Sequence, residues 1–274
     1  MSDYNLNLKK FNFNEVPDGA ICTFIGKRKS GKSFCIRDLL YHKKDIPMCK
    51  IVSGSEQANP FFSDFMPSTF IDTEFDADKI GTVIKRQEET LKLMKAKPQQ
   101  FGNVDPRMLI IFDDCLHDNS WQKSKAVKNI FMNGRHYKIF FILAMQYVLG
   151  IPPSLRTNID YVFIFRDSSL QNRRKIYDCF GGAIPTFDMF CQLLDSLGKF
   201  ECLVICNDAD RVSLEEQVMW YKAKDNGDFK FGSKKMWDFH YKKLQSKDNT
   251  QGKNINDFVP KKKNRVTLTV NKYQ

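Results

Sequence analysis

The sequence predicts an α/β fold in which a mostly parallel sheet carries helices on both faces. Three observations lead there. Short runs that are apolar at nearly every position recur at residues 21–25, 108–112, 139–145 and 161–165, as strands buried on both sides require. Between these runs lie longer segments with apolar residues at helical spacing. A glycine-rich turn at residues 26–33 joins the first apolar run to the first helical one.

In chain order, residues 1–19 read as a polar leader ending in the turn Pro17-Asp18-Gly19. Residues 21–25 form a buried strand closed by Gly26. Cys35, Ile36, Leu39 and Leu40 lie at helical spacing, so a helix follows the glycine turn. Residues 50–53 are a second strand, and residues 54–75, rich in Phe, Asn, Pro and Ser, connect it to a long charged amphipathic helix at 77–97. Residues 108–112 are the clearest strand in the chain and run directly into Asp113 and Asp114. A helix over 121–136 shows Ala126, Val127, Ile130 and Phe131 on one face. The strand at 139–145 ends at Gln146, before an interruption at Pro152-Pro153. A strand at 161–165, a helix through Cys179, a helix at 187–197 and a strand at 201–206 complete a domain over residues 20–222. Residues 223–274 read as a basic, partly disordered extension. From residue 253 onward it holds six Lys/Arg against one Asp, a net +5.

The 274 residues carry a formal net charge of +11, which favours a polyanionic partner. The eight cysteines form no Cys-x-x-Cys pair and no zinc spacing. They read as small core residues of a protein kept in a reducing compartment. The first ten residues are too polar for a signal peptide, and the apolar stretch at 139–151 is too short to span a bilayer. A soluble protein with no transmembrane segment is expected.

Gly26-Lys27-Arg28-Lys29-Ser30-Gly31-Lys32-Ser33 satisfies the phosphate-loop pattern GxxxxGK[ST]. Its glycines let the backbone turn tightly and aim N–H groups at phosphate oxygens, and the following helix adds its positive dipole end. Residues 26–33 together with Phe34 are the expected nucleotide cradle, with Lys32 reaching the β- and γ-phosphates and Ser33 coordinating Mg²⁺. A carboxylate at the C-terminal end of a central parallel strand lies beside such a loop. Asp113 is therefore expected to hold the metal and Asp114 to act as general base on the attacking water. Many ATPases of this type carry Glu at that second position. Gln146 reads either as a sensor of the γ-phosphate or as a turn-forming amide. Arg135 and Arg156 are candidate arginine fingers toward a neighbouring subunit, or basic residues that offset a helix dipole. His136 reads as structural. The expected ligands are ATP and Mg²⁺.

Residues 26–33, 109–114, 134–139, 144–146 and 151–158 together resemble the genome-packaging ATPases of nucleocytoplasmic large DNA viruses. These are poxvirus-type packaging ATPases within the FtsK–HerA superfamily of P-loop NTPases. The resemblance covers residues 20–205. It implies a RecA/ASCE-like sheet in the order 5-1-4-3-2, with one strand inserted between the two nucleotide motifs. It also implies a homo-oligomeric ring, pentamer or hexamer, that drives double-stranded DNA into preformed capsids, with capsid or virion-vertex proteins as further partners. The corresponding location is the viral factory of the host cytoplasm and the virion. The base-reading Asn-Lys-x-Asp of GTPases has no counterpart, the one Asn-Lys pair being Asn271-Lys272. Two other readings share the chemistry: a cellular FtsK/HerA-like DNA translocase, and a nucleotide-dependent assembly scaffold. Residues 54–75 and the loop after Gln146 are the expected DNA-gripping segments.

Overall fold

A strand that is apolar on both sides needs cover on both sides, and the central strands receive it. The structure, a computed structural model, describes residues 7–114, 120–148, 151–207, 210–211 and 213–248. Its strands are β1 (Lys9–Lys10), β2 (Ile21–Ile25), β3 (Met48–Ser53), β4 (Ile71–Asp72), β5 (Met108–Asp113), β6 (Ile139–Met145), β7 (Tyr161–Phe165), β8 (Glu201–Cys206) and β9 (Val218–Lys222). They form one nine-stranded sheet in the order β1-β9-β8-β7-β2-β6-β5-β3-β4. The central strands β7-β2-β6-β5-β3 run parallel to one another. Numbered as they occur along the chain, these strands stand in the order 5-1-4-3-2 that the resemblance implied. The β7–β8 and β8–β9 pairs are antiparallel.

Strands β2, β5, β6 and β7 are buried at every position. Alternate side chains feed two separate cores, as a period of two demands. Phe24, Leu109, Ile111, Phe140 and Ile142 enter one core with Ile36, Leu39 and Leu40 of the Lys32–His42 helix. Ile110, Phe112, Phe141 and Leu143 enter the other. There they meet Ile80 and Ile84 of the Ala77–Ala96 helix, Val127 and Ile130 of Lys125–Asn133, Ile176 of Leu170–Phe180, and Phe190 of Phe187–Ser196.

This division explains where the fold departs from the expected organisation. Among the described residues, the α/β alternation places four of its longer helices on one face and only Lys32–His42 on the other. The thinner face is completed by segments outside the expected domain. Phe11, Phe13 and Val16 of the leader are buried there, and the Phe11 N–H donates to the Trp220 carbonyl at 2.8 Å. Ala223, Phe231 and Met236, beyond residue 222, join the same core. Met236 belongs to a C-terminal helix, Lys234–Asp248. The basic tail at 253–274 lies outside the described residues. The helix expected over 121–136 is divided by Ser124, whose hydroxyl accepts from the Val127 N–H and so caps Lys125–Asn133. Among the described residues, no helix is long and apolar enough to cross a membrane.

Candidate functional site

Parallel neighbours end on the same side of a sheet, and the register sets those ends level. Ile25 pairs with Met145, Asp113 with Ala144, and Ser53 with Asp113. The hydrogen bonds continue one step past the strands: Gly26 N–H to the Met145 carbonyl at 3.1 Å, and Gly54 N–H to the Asp113 carbonyl at 3.2 Å. The glycine loop, Asp113, Asp114 and Gln146 therefore converge on one edge, where open α/β sheets bind ligands.

Gly31 has φ +96° and caps the Lys32–His42 helix without offering it a side chain. The first N–H groups of that helix are thus left facing the loop. At Gly26 a Cβ would lie 2.6 Å from Ser30 Oγ and 2.8 Å from Phe165 Cβ, so only glycine lets the loop close against β7. Ser30 Oγ is buried and has no hydrogen-bond partner among the described residues, an orphan polar atom of the kind that a bound ligand satisfies. Arg28, Lys29 and Ser33 are exposed, while Phe34 is half-buried.

The Lys32 side chain is only 7% exposed, and its Nζ lies 3.3 Å from Asp114 Oδ1 and 3.9 Å from Asp113 Oδ1. One ammonium thus serves two carboxylates. Asp114 sits at φ +47°, a left-handed conformation that Asp tolerates better than most residues. Its Oδ2 accepts from Gln146 Nε2 at 2.8 Å, so the amide orients this carboxylate. Asp113 has weaker support: a Ser53 hydroxyl donating at 3.4 Å and the more distant Lys32. Burial pushes its carboxyl up to about 6 against the pull of Lys32, and the charges of Asp114 and Glu56 add to the rise.

Two further carboxylates hold the surroundings, and neither was expected from the sequence. Lys27 Nζ bonds Asp167 Oδ1 at 2.8 Å, tying the loop to the residues after β7. Burial raises the Asp167 carboxyl, but Lys27, the Ser169 N–H and Asn172 together hold it below its usual range. The signal that marks Asp113, a carboxylate just beyond an apolar parallel strand, also marks Asp167. Glu56 accepts the N–H groups of Phe61, Phe62 and Ser63 at 2.9–3.2 Å, anchoring the connection after β3.

The arginine candidates lie elsewhere. Arg135 Nη2 bonds Asp160 Oδ1 at 2.6 Å, and Asp160 Oδ2 accepts from the N–H of Ile21. Ile21 begins β2, whereas the glycine loop follows its end. Arg135 is therefore at the opposite edge of the sheet, about 17 Å away at a strand's rise per residue. Arg156 ends the short Pro153–Arg156 helix, on the return path to the start of β7. A depression of about 580 Å³ at this lower edge is lined by Arg135, His136, Asn158, Asp160 and Asn207, among others. Neither arginine joins Lys32, Asp113, Asp114 and Gln146 within one subunit.

No protein-family model matches the chain. Its sequence is similar to protein L437 of Acanthamoeba polyphaga mimivirus, with 33% identity over 88% of this chain and 85% of L437. It is 37% identical to protein 088R of Invertebrate iridescent virus 3, over 83% of this chain and 86% of the relative. It is also 37% identical to protein 075L of Invertebrate iridescent virus 6, over 89% of this chain and 94% of that protein. Among solved structures, the fold is similar to the genome packaging NTPase B204 from Sulfolobus turreted icosahedral virus 2. In complex with AMP, B204 matches with a TM-score of 0.51 and 15% identity, covering 77% of this chain and all of B204. In complex with AMPPCP the TM-score is 0.50 at 17% identity, over 76% of this chain and all of B204. At these identities the likeness establishes the fold, a P-loop α/β sheet. The extent of the sequence matches does more: this chain belongs to the viral protein family of L437, 088R and 075L.

Proposed function

We propose that this chain is an ATP-hydrolysing motor that translocates double-stranded DNA and packages a viral genome into preformed capsids. The observation that carries this reading is the buried Lys32, held 3.3 Å from Asp114 and 3.9 Å from Asp113 beneath the glycine loop. Two findings support it: the family is viral, and the similarly folded B204 is a genome packaging NTPase.

Within this reading, the N–H groups of residues 26–34 cradle the phosphates, and Lys32 turns from the carboxylates to the β- and γ-phosphates. Ser33 and Asp113 would hold magnesium. The fit rests on Asp113, a buried carboxylate with one long hydrogen bond, which suits a hard cation that takes one or two protein oxygens plus phosphate. When bound, the ion neutralises charge on the phosphate oxygens. Asp114, oriented by Gln146, accepts the proton of the attacking water. Arg135 and Arg156 serve a neighbouring subunit in a ring of this chain, of the poxvirus-type packaging class. The net charge of +11 suits a phosphate backbone bound without sequence reading.

The test is steady-state ATP hydrolysis by the full chain with and without duplex DNA over a salt series, alongside its mass in nucleotide. The expected result is an oligomer whose turnover rises with DNA, the stimulation fading steeply as salt increases. Turnover indifferent to DNA, together with nucleotide-dependent assembly, would replace the motor with a scaffold.

A further inference from the structure

The loop leading into β8 leaves one aromatic ring in an unusual position. Phe200 has φ +63°, in the left-handed region that a bulky side chain rarely occupies. Its neighbours hold it there: the Phe200 carbonyl accepts from the Ala223 N–H at 3.0 Å, and the Glu201 N–H bonds the Gly198 carbonyl at 3.2 Å. Strained backbone of this kind persists where the surroundings over-determine it, and it clusters at functional sites. Yet the residue is 36% exposed, so the conformation does not bury the ring. Instead it sets the ring against the glycine loop. A Cβ on Gly31 would lie 3.2 Å from Phe200 Cδ1, and the Phe34 and Phe200 ring centroids are 4.9 Å apart.

The direction of a bound triphosphate follows from the sheet order. The loop emerges from β2, with β6 and β5 on one side and β7 and β8 on the other. The γ-phosphate end is fixed by Lys32, Asp113, Asp114 and Gln146, on the β5–β6 side. The nucleoside therefore leaves toward β7 and β8, past Phe34, where Phe200 stands.

We propose that Phe200 is the platform on which the nucleobase stacks, a specificity for nucleosides over bare polyphosphate that rests on the phosphate-site reading above. Every base has a π-face, so the platform favours nucleotides without distinguishing adenine from guanine. In the free protein the Lys199 ammonium lies 5.1 Å from the ring centroid. This exposed lysine gives way to the base.

The experiment is calorimetric titration of the magnesium-supplemented full chain with AMPPCP, its guanosine counterpart and tripolyphosphate. Phe200→Ala is expected to weaken both nucleotides about tenfold, the loss typical of one stacked base, while tripolyphosphate binds as to wild type. Phe200→Trp is expected to retain nucleotide affinity and to add a change in indole fluorescence with AMPPCP that tripolyphosphate does not produce. Equal weakening of all three ligands in Phe200→Ala makes the ring a prop for the loop and overturns the platform while the phosphate site stands. Unchanged binding of all three overturns it as well. A wild-type chain that ignores tripolyphosphate and AMPPCP alike overturns the phosphate site and the platform together.

Discussion

At the edge where β2, β5 and β6 end, a lysine side chain 7% exposed stands between two carboxylates at 3.3 and 3.9 Å. At the edge where β2 and β7 begin, an arginine side chain 73% exposed is bonded at 2.6 Å to one carboxylate, which also caps a strand N–H. Each sets a basic side chain against carboxylate, but Lys32 is dry and loosely partnered whereas Arg135 is wet and satisfied. Buried charges are costly to strand and reorganise readily around a better partner, whereas exposed pairs contribute little to the fold. On the proposed reading, the same burial that strains Lys32 and the two aspartates in the free chain readies them for a bound phosphate.

The sharpest way to break this contrast is to neutralise Asp114. Asp114→Asn keeps the side-chain volume and leaves Lys32 near Asp113, so AMPPCP affinity should stay within a few-fold of wild type. Hydrolysis should fall about 10²–10⁴-fold, the range for loss of a general base. Lys32→Ala serves as the reference, losing binding and turnover together. Single-turnover hydrolysis beside calorimetry separates the two variants, and near-normal turnover in Asp114→Asn would remove the base from the proposed mechanism.

A smaller effect is expected from Asp113, and it depends on pH. An ordinary aspartate ionises near 3.8, but burial raises Asp113 to about 6 in the folded chain. Between these values the folded state holds a proton that the unfolded state has lost. This group therefore makes stability fall as pH rises from about 4 to about 6, with no further change above. Asp113→Asn abolishes that slope. The nucleotide-free variant should exceed wild type in stability by on the order of 1–3 kcal/mol at pH 7–8, the gap closing toward pH 4. Urea unfolding across this range measures it, and a difference that ignores pH would mean that Asp113 is not strained by its burial.

The upper edge was largely legible in the sequence because its parts are local. A run of eight residues specifies the loop, and an apolar run ending in Asp113-Asp114 specifies the strand that faces it. What escaped depends on contacts between distant segments. Nothing near Lys27 names Asp167 as its partner, and Glu56 finds its donors only once residues 61–63 turn back on it. The strands β1 and β4 are two residues each, too short for any periodicity. Phe11, Phe13 and Phe231 have no apolar residue beside them and Met236 has only Trp237, so the cover of the thinner face had no long apolar run to read. The helix break at Ser124 had a local signal, a good cap residue, which the helical spacing around it outweighed.

The smallest expected effect sharpens the comparison from the lower edge. Arg135→Ala removes an exposed ion pair, so the subunit's stability should change by no more than about 1 kcal/mol. Asp160→Ala should cost more, because it also strips the Ile21 N–H of its acceptor. Denaturant unfolding of both variants tests that order, and an Arg135→Ala loss as large as that of Asp160→Ala would make the arginine a structural strut. If it is instead kept for a neighbour, the well-folded Arg135→Ala chain loses turnover only as an assembly. Mixing it with Lys32→Ala subunits then restores part of the activity, since an intact phosphate site meets an intact arginine wherever the two variants are neighbours. Recovery at no mixing ratio would confine Arg135 to its own subunit, where a strand's length separates it from the phosphates.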